Sequence, residues 1–141
     1  MIIPYILSNL KRSRSIEIKN FYSSRDFTYI SDIVNGIFLA GLNGRDKEIY
    51  NLGSGNETSI ENLIQTIKYI LNIDFKVAIK DVNYAGYNTV KRSQADITKA
   101  KKELLWKPIK TLEDGLLLTS KILGLPEELT CLLYTSPSPR D

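Results

Sequence analysis

Apolar residues first recur as a helix face. Ile3, Ile6, Leu7 and Leu10 stand three and four apart, which predicts one buried stripe. Residues 15–19 (SIEIK) alternate and predict a short strand. Beyond Arg25 and Asp26, Phe27 and Tyr29 continue an extended pattern. Ser31 or Asp32 then stands where a side chain can cap a helix, with Ile33, Val34, Ile37 and Phe38 as its stripe and its end near Gly41 and Gly44. Residues 48–52 (EIYNL) read as a strand stopped by Gly53-Ser54-Gly55. Thr58 and Glu61 have capping-box spacing. Behind them Ile60, Leu63, Ile64, Ile67 and Leu71 form the clearest amphipathic helix. Residues 75–82 alternate again, and 83–93 form a polar loop. Asp96 opens a Lys-rich helix, ADITKAKKELL, broken at Trp106-Lys107-Pro108; a last helix starts at Thr111 and ends at Gly124.

Helices and strands in alternation define an α/β chain. The two strands IEI and FKVAI are far apart in sequence and can lie side by side. EIYNL is more apolar and suits a larger parallel sheet, the rest of which the chain does not contain. Composition changes this picture little. At 43% apolar and 25% charged, the 141 residues fit an ordinary globular domain. The longest apolar run, Ile37-Phe38-Leu39-Ala40, falls far short of the ~18–20 residues that span a membrane. A net charge of +3 with mixed signs argues against nucleic acid as partner. The cluster Lys11-Arg12-Ser13-Arg14 reads as a solvated helix C-terminus. MIIPYI has neither the basic stretch nor the cleavage site of a secretion signal. The absence of histidine excludes histidine general-base and histidine-metal chemistry for this chain.

The single cysteine, Cys131, begins CLLYTSPSPRD, which has no periodicity and resembles a translated sequencing adapter. Residues 131–141 are therefore set apart as a non-native tail. The remaining 1–130 hold no cysteine, which is compatible with a reducing cytoplasm.

Two stretches bear on chemistry. NLGSGNETS has the strand, glycine turn and helix that can cradle a phosphate. Thr58, however, stands where a dinucleotide fingerprint needs its third glycine, so a tight turn is the favoured reading. Arg25 offers a permanently charged, planar fork that matches two oxygens of a phosphate or carboxylate. On a strand, Phe27 and Tyr29 fall on its side. Spacing alone leaves open whether Arg25 meets a ligand or pairs with Asp26 or Asp32.

Four motifs in register add a resemblance. RDFTYISDIVNGI, IYNLGSG with TSIENLI, QADITKAKKELLWKP and LEDGL together resemble the C-terminal portion of an extended short-chain dehydrogenase/reductase, within the NAD-dependent epimerase/dehydratase family acting on nucleotide sugars. The resemblance covers residues 1–123. It implies that 1–130 are the substrate-binding portion of such an enzyme, with the NAD-binding part upstream, and that Arg25 grips the sugar-nucleotide diphosphate. Ala95 to Ala100 match a chiefly structural motif, and Trp106 the tryptophan of L-G-W-x-P, with Leu105 in the glycine's place.

Where many members carry R-x-G-D, this chain has Tyr84-Ala85-Gly86-Tyr87; Arg92, or less readily Lys91, is expected to reach the same phosphates. No Tyr-x-x-x-Lys pair suited to catalysis is present, since Tyr87 and Lys91 lie in the polar loop. The segment alone therefore completes no hydride chemistry. A cytoplasmic location and, for the complete enzyme, a homodimer are compatible with this reading. The alternatives are a reductase of the same superfamily with a non-nucleotide substrate, and a non-catalytic binding module on the same fold.

Overall fold

The structure is a computed structural model, described here for residues 1–80 and 90–125. The expectations about 84–87 and about the 131–141 tail lie outside those residues. The element order is α1 (Ile2–Leu10), β1 (Ser15–Lys19), β2 (Ser24–Asp26), α2 (Ile30–Asn43), β3 (Glu57–Ser59), α3 (Ile60–Ile70), β4 (Lys76–Lys80), α4 (Thr98–Glu103) and α5 (Leu112–Ile122). The architecture is α/β, as the alternation predicts.

β1 and β4 pair in parallel, Ser15 beside Lys76 through Lys19 beside Lys80. Parallel neighbours need a long crossover, and here it carries α2 and α3. Against this pair close Ile6, Leu7 and Leu10 of α1, Ile16 and Ile18 of β1, the Ile60–Ile70 face of α3 and Leu116 of α5. α3 is thus the amphipathic helix its pattern predicts. Its cap is Ser59, whose side chain accepts from the Asn62 N–H at 3.0 Å, and the expected Thr58–Glu61 box does not form. Thr58 is instead drawn into β3, where it pairs with Arg25. The box forms at α5, between Thr111 and Asp114.

A second, smaller core gathers Ile97, Ala100, Leu104 and Trp106 against Leu39, Ala40, Tyr50 and Leu52. It reverses the expected face of α2. Val34, Ile37 and Phe38 are exposed, at 57%, 61% and 64%, while Asp32 and Gly36 are buried. The reason is the approach of Trp106. A Cβ at Gly36 would stand 2.8 Å from the Leu52 methyls and 3.0 Å from Trp106 Nε1, so glycine lets that ring approach without displacing either.

Nor does Asp32 cap α2, which begins at Ile30 without a side-chain cap. Its carboxylate accepts the N–H groups of Ile109 and Lys110 at 3.0 and 2.9 Å, and its carbonyl accepts Trp106 Nε1–H at 2.9 Å. The buried Trp106 donor and the part-buried N–H groups of Ile109 and Lys110 engage Asp32 in place of a local cap, because a buried donor left unpaired is costly. α4 begins later than predicted: Asp96 Oδ1 accepts the Thr98 N–H at 3.0 Å, in a turn just ahead of the helix. The segment 48–52, expected as a strand, forms none and pairs with no strand among the described residues.

Candidate functional site

Arg25 sits on a strand that the alternation did not delimit. β2 pairs antiparallel with β3, Arg25 opposite Thr58 and Asp26 opposite Glu57. On its other side a single parallel bridge joins Ser24 to Arg92, closed by Ser24 N–H to Lys91 O at 2.8 Å and Ser93 N–H to Ser24 O at 3.2 Å. Three chain segments distant in sequence thus meet at Ser24 and Arg25.

The Arg25 guanidinium is half-buried. Its Nη1 donates to the carbonyls of Ser24 at 2.7 Å and Lys91 at 3.4 Å. It forms no ion pair with Asp26 or Asp32, nor with any other described carboxylate. The group is therefore clipped by its edge to the backbone with its charge uncompensated by a described neighbour. Beside it opens a cavity of about 410 Å³, lined by Ile2, Ile3, Pro4, Phe27 and Ile60 and, as charged residues, by Arg25, Lys19 and Asp26. Phe27 shares this cavity with Arg25. Tyr29 lies instead against Gly115 of α5, where a Cβ would meet its ring at 3.2 Å.

Asp26 serves a different set of partners. It accepts from Ser54 N–H and hydroxyl, Gly55 N–H, Ala95 N–H and the Thr28 hydroxyl. Partial burial pushes its carboxyl up, but the bonds from Ser54, Ala95 and Gly55 together outweigh that and hold it below the ordinary carboxylate value. This decides the reading of NLGSG. Two of the turn's N–H groups are spent on Asp26, so the loop is a tight turn and offers no phosphate cradle. The 53–55 turn accordingly does not fit a dinucleotide's phosphates.

Arg92, expected near the same phosphates, lies on the segment bridged to Ser24. Its guanidinium is exposed and grips Glu57 in bidentate fashion, at 2.6 to 3.1 Å. That fork holds the Glu57 carboxyl below its usual range. The structure thus brings Arg25 and Arg92 to one short sheet, and gives Arg92 a carboxylate that any anion must displace. Sequence reasoning missed Asp26 and Glu57. Their partners, Ser54, Gly55 and Ala95 for Asp26 and Arg92 for Glu57, lie 28 to 69 positions away, so the sequence carried no local signal for either.

The α/β order and the parallel β1–β4 pair fit the class of an extended short-chain dehydrogenase/reductase segment. The chain belongs to the NAD-dependent epimerase/dehydratase family, its residues 1–119 matching the family model for GDP-mannose 4,6 dehydratase. The dTDP-4-dehydro-6-deoxyglucose reductase of Escherichia coli is 31% identical over 116 residues, 82% of this chain and 36% of that protein. The UDP-glucuronate 4-epimerase of Thermodesulfobacterium geofontis is 40% identical over 94 residues, 66% of this chain and 28% of that protein. The chain therefore spans about a third of the length of these curated relatives.

Among solved structures, UDP-glucose 4-epimerase of Thermotoga maritima with UDP-glucose matches with a TM-score of 0.76 at 30% identity, over 86% of this chain and 38% of that one. The dTDP-glucose 4,6-dehydratase of Bacillus anthracis in complex with NAD matches with a TM-score of 0.78 over 92% of this chain and 41% of that one; at 23% identity it bears on the fold alone. No helix among the described residues is long and apolar enough to cross a membrane.

Proposed function

We propose that this segment is the nucleotide-sugar-binding portion of an NAD-dependent epimerase or dehydratase, and that Arg25 holds the diphosphate. The observation that carries the reading is the state of Arg25. It is half-buried, anchored by one nitrogen to two carbonyls, free of a described carboxylate, and set at the wall of a cavity of about 410 Å³. A guanidinium so held has already lost side-chain freedom, so less is lost when an anion arrives. The apolar lining of Ile3, Pro4, Phe27 and Ile60 suits the flat, less polar part of a nucleotide, with Lys19 adding charge.

In the complete enzyme NAD would supply the hydride chemistry from a part of the protein beyond these residues. What this segment contributes is orientation: a diphosphate fixed at Arg25 sets where the sugar reaches. Arg92 adds a second charge at the rim once Glu57 releases it. A cytoplasmic location and a homodimer accord with this reading.

The test is Arg25→Ala in the full-length protein that carries this segment. Charge-assisted hydrogen bonds contribute about 1.5–3 kcal/mol each, so KM for the nucleotide sugar should rise roughly 10- to 100-fold, with kcat changing less. A KM equal to that of the wild type rejects the reading. Competitive inhibition by nucleoside diphosphates separates it from a reductase of the superfamily with a non-nucleotide substrate.

A further inference from the structure

We propose that Asp26 is a positioning residue: it fixes the strand that aims Arg25, by a joint to the 53–55 turn and to Ala95. The inference rests on the reading of Arg25 as the phosphate grip, and deepens it. Five hydrogen bonds converge on this one carboxylate. Oδ1 accepts from Ser54 N–H at 2.7 Å, the Ser54 hydroxyl at 2.6 Å and the Thr28 hydroxyl at 3.2 Å. Oδ2 accepts from Gly55 N–H at 3.0 Å and Ala95 N–H at 3.1 Å. No described cation pairs with it. Its partners are donors of the chain itself, so the carboxylate serves as a joint between segments.

Successive side chains leave a strand on opposite faces. Arg25 and Asp26 therefore act as two arms on one short axle, and whatever fixes Asp26 fixes the roll of Arg25. β2 needs that help. It has three residues, one three-residue antiparallel partner and a single bridge, and two-stranded pairs are marginal alone. The joint is also tight. A Cβ at Gly53 would lie 2.5 Å from the Ala95 side chain and 2.8 Å from Asp26 Oδ2. Asparagine keeps the size of Asp26 but loses one acceptor. Its NH2 group would face either the Ser54 donors or the N–H groups of Gly55 and Ala95, with no oxygen to receive them.

The experiment is a double-mutant cycle in the full-length protein that carries this segment. Wild type, Arg25→Ala, Asp26→Asn and the double variant are titrated with UDP, TDP and GDP by calorimetry, well below the melting temperature. Asp26→Asn is expected to weaken the tightest of these ligands about tenfold when Arg25 is present, and by under about twofold once Arg25 is gone. Equal losses in both backgrounds would show general support of the fold; they overturn the inference and leave the reading of Arg25 standing.

If wild type binds none of the three nucleotides, or Arg25→Ala binds as wild type does, the reading of Arg25 fails, and the inference falls with it. Should Asp26→Asn not fold, Ser54→Ala removes the 2.6 Å hydroxyl bond to Asp26, along with the exposed exchange between the Ser54 hydroxyl and the Asn56 backbone, and keeps the N–H bonds of Ser54, Gly55 and Ala95 to the carboxylate. An Arg25-dependent loss of about threefold then supports the joint, and no loss overturns it.

Discussion

Leu105 stands where the family pattern carries glycine, and it has φ +56°. The conformation is forced by the end of α4. Leu104 N–H and Trp106 N–H both reach the Ala100 carbonyl, at 3.0 and 3.4 Å, a closure that needs a left-handed residue between them. For an L-residue that conformation costs about 1–2 kcal/mol. Leu105 is 83% exposed, so its side chain offsets little of this by packing. Leu105→Gly should raise stability by roughly 0.5–1 kcal/mol after the added freedom of the unfolded glycine is subtracted, measured as the urea midpoint at constant slope.

Residues differ in how far they were legible for the same kind of reason. Arg25 stood out in the sequence as a fixed charge before an alternating run, though spacing alone left its role open. Asp26 did not, since its donors at Ser54, Gly55 and Ala95 lie 28, 29 and 69 positions away.

At the scale of elements, periodicity found α1, α3, β1 and α5, because each of these turns apolar residues to the main core, and also β4, of which only Val77 packs there while Ile79 is exposed. It failed for α2, which is apolar on most of its circumference. Ile33, Val34, Ile37 and Phe38 make as good a stripe as the face that packs. What chooses between them is Trp106, whose arrival cannot be read from α2 alone. Gly36 records that choice. Gly36→Ala adds a better helix former, worth up to about 1 kcal/mol. It also drives a methyl to 2.8 Å from Leu52 and 3.0 Å from Trp106 Nε1. Overpacking of this kind costs about 1–3 kcal/mol, so the net effect should be destabilising. Emission from Trp106, the only tryptophan, should shift to the red as its site opens. A variant as stable as wild type would show that α2 is free to move away.

β2 and β3 escaped prediction because three-residue strands carry too little alternation to register. EIYNL reads as a strand by composition, yet no strand forms there among the described residues.

For the whole molecule, the main core is closed while one side is not. Ile30, Val34, Phe38 and Leu42 are exposed along α2, and Ile49 is 80% exposed beyond it. A contiguous apolar stripe of this kind favours association. The 141-residue chain by itself should bind an apolar dye and self-associate as its concentration rises, as followed by light scattering. The pair Val34→Lys and Phe38→Lys should suppress both without lowering the melting temperature by more than a few degrees, because neither side chain belongs to a core. Dye binding unchanged in that pair would place the sticky surface elsewhere.

The parallel splice of Ser15–Lys19 to Lys76–Lys80 has a mechanical corollary. Everything between those strands is a closed loop fastened at its base, and β2 with β3 fastens it again higher up. A protease nick at Lys47, in the exposed turn after α2, should therefore yield two pieces that travel together through a sizing column and part only in denaturant. The molecule is buttoned across its gap, and a break in the thread there would leave the garment closed.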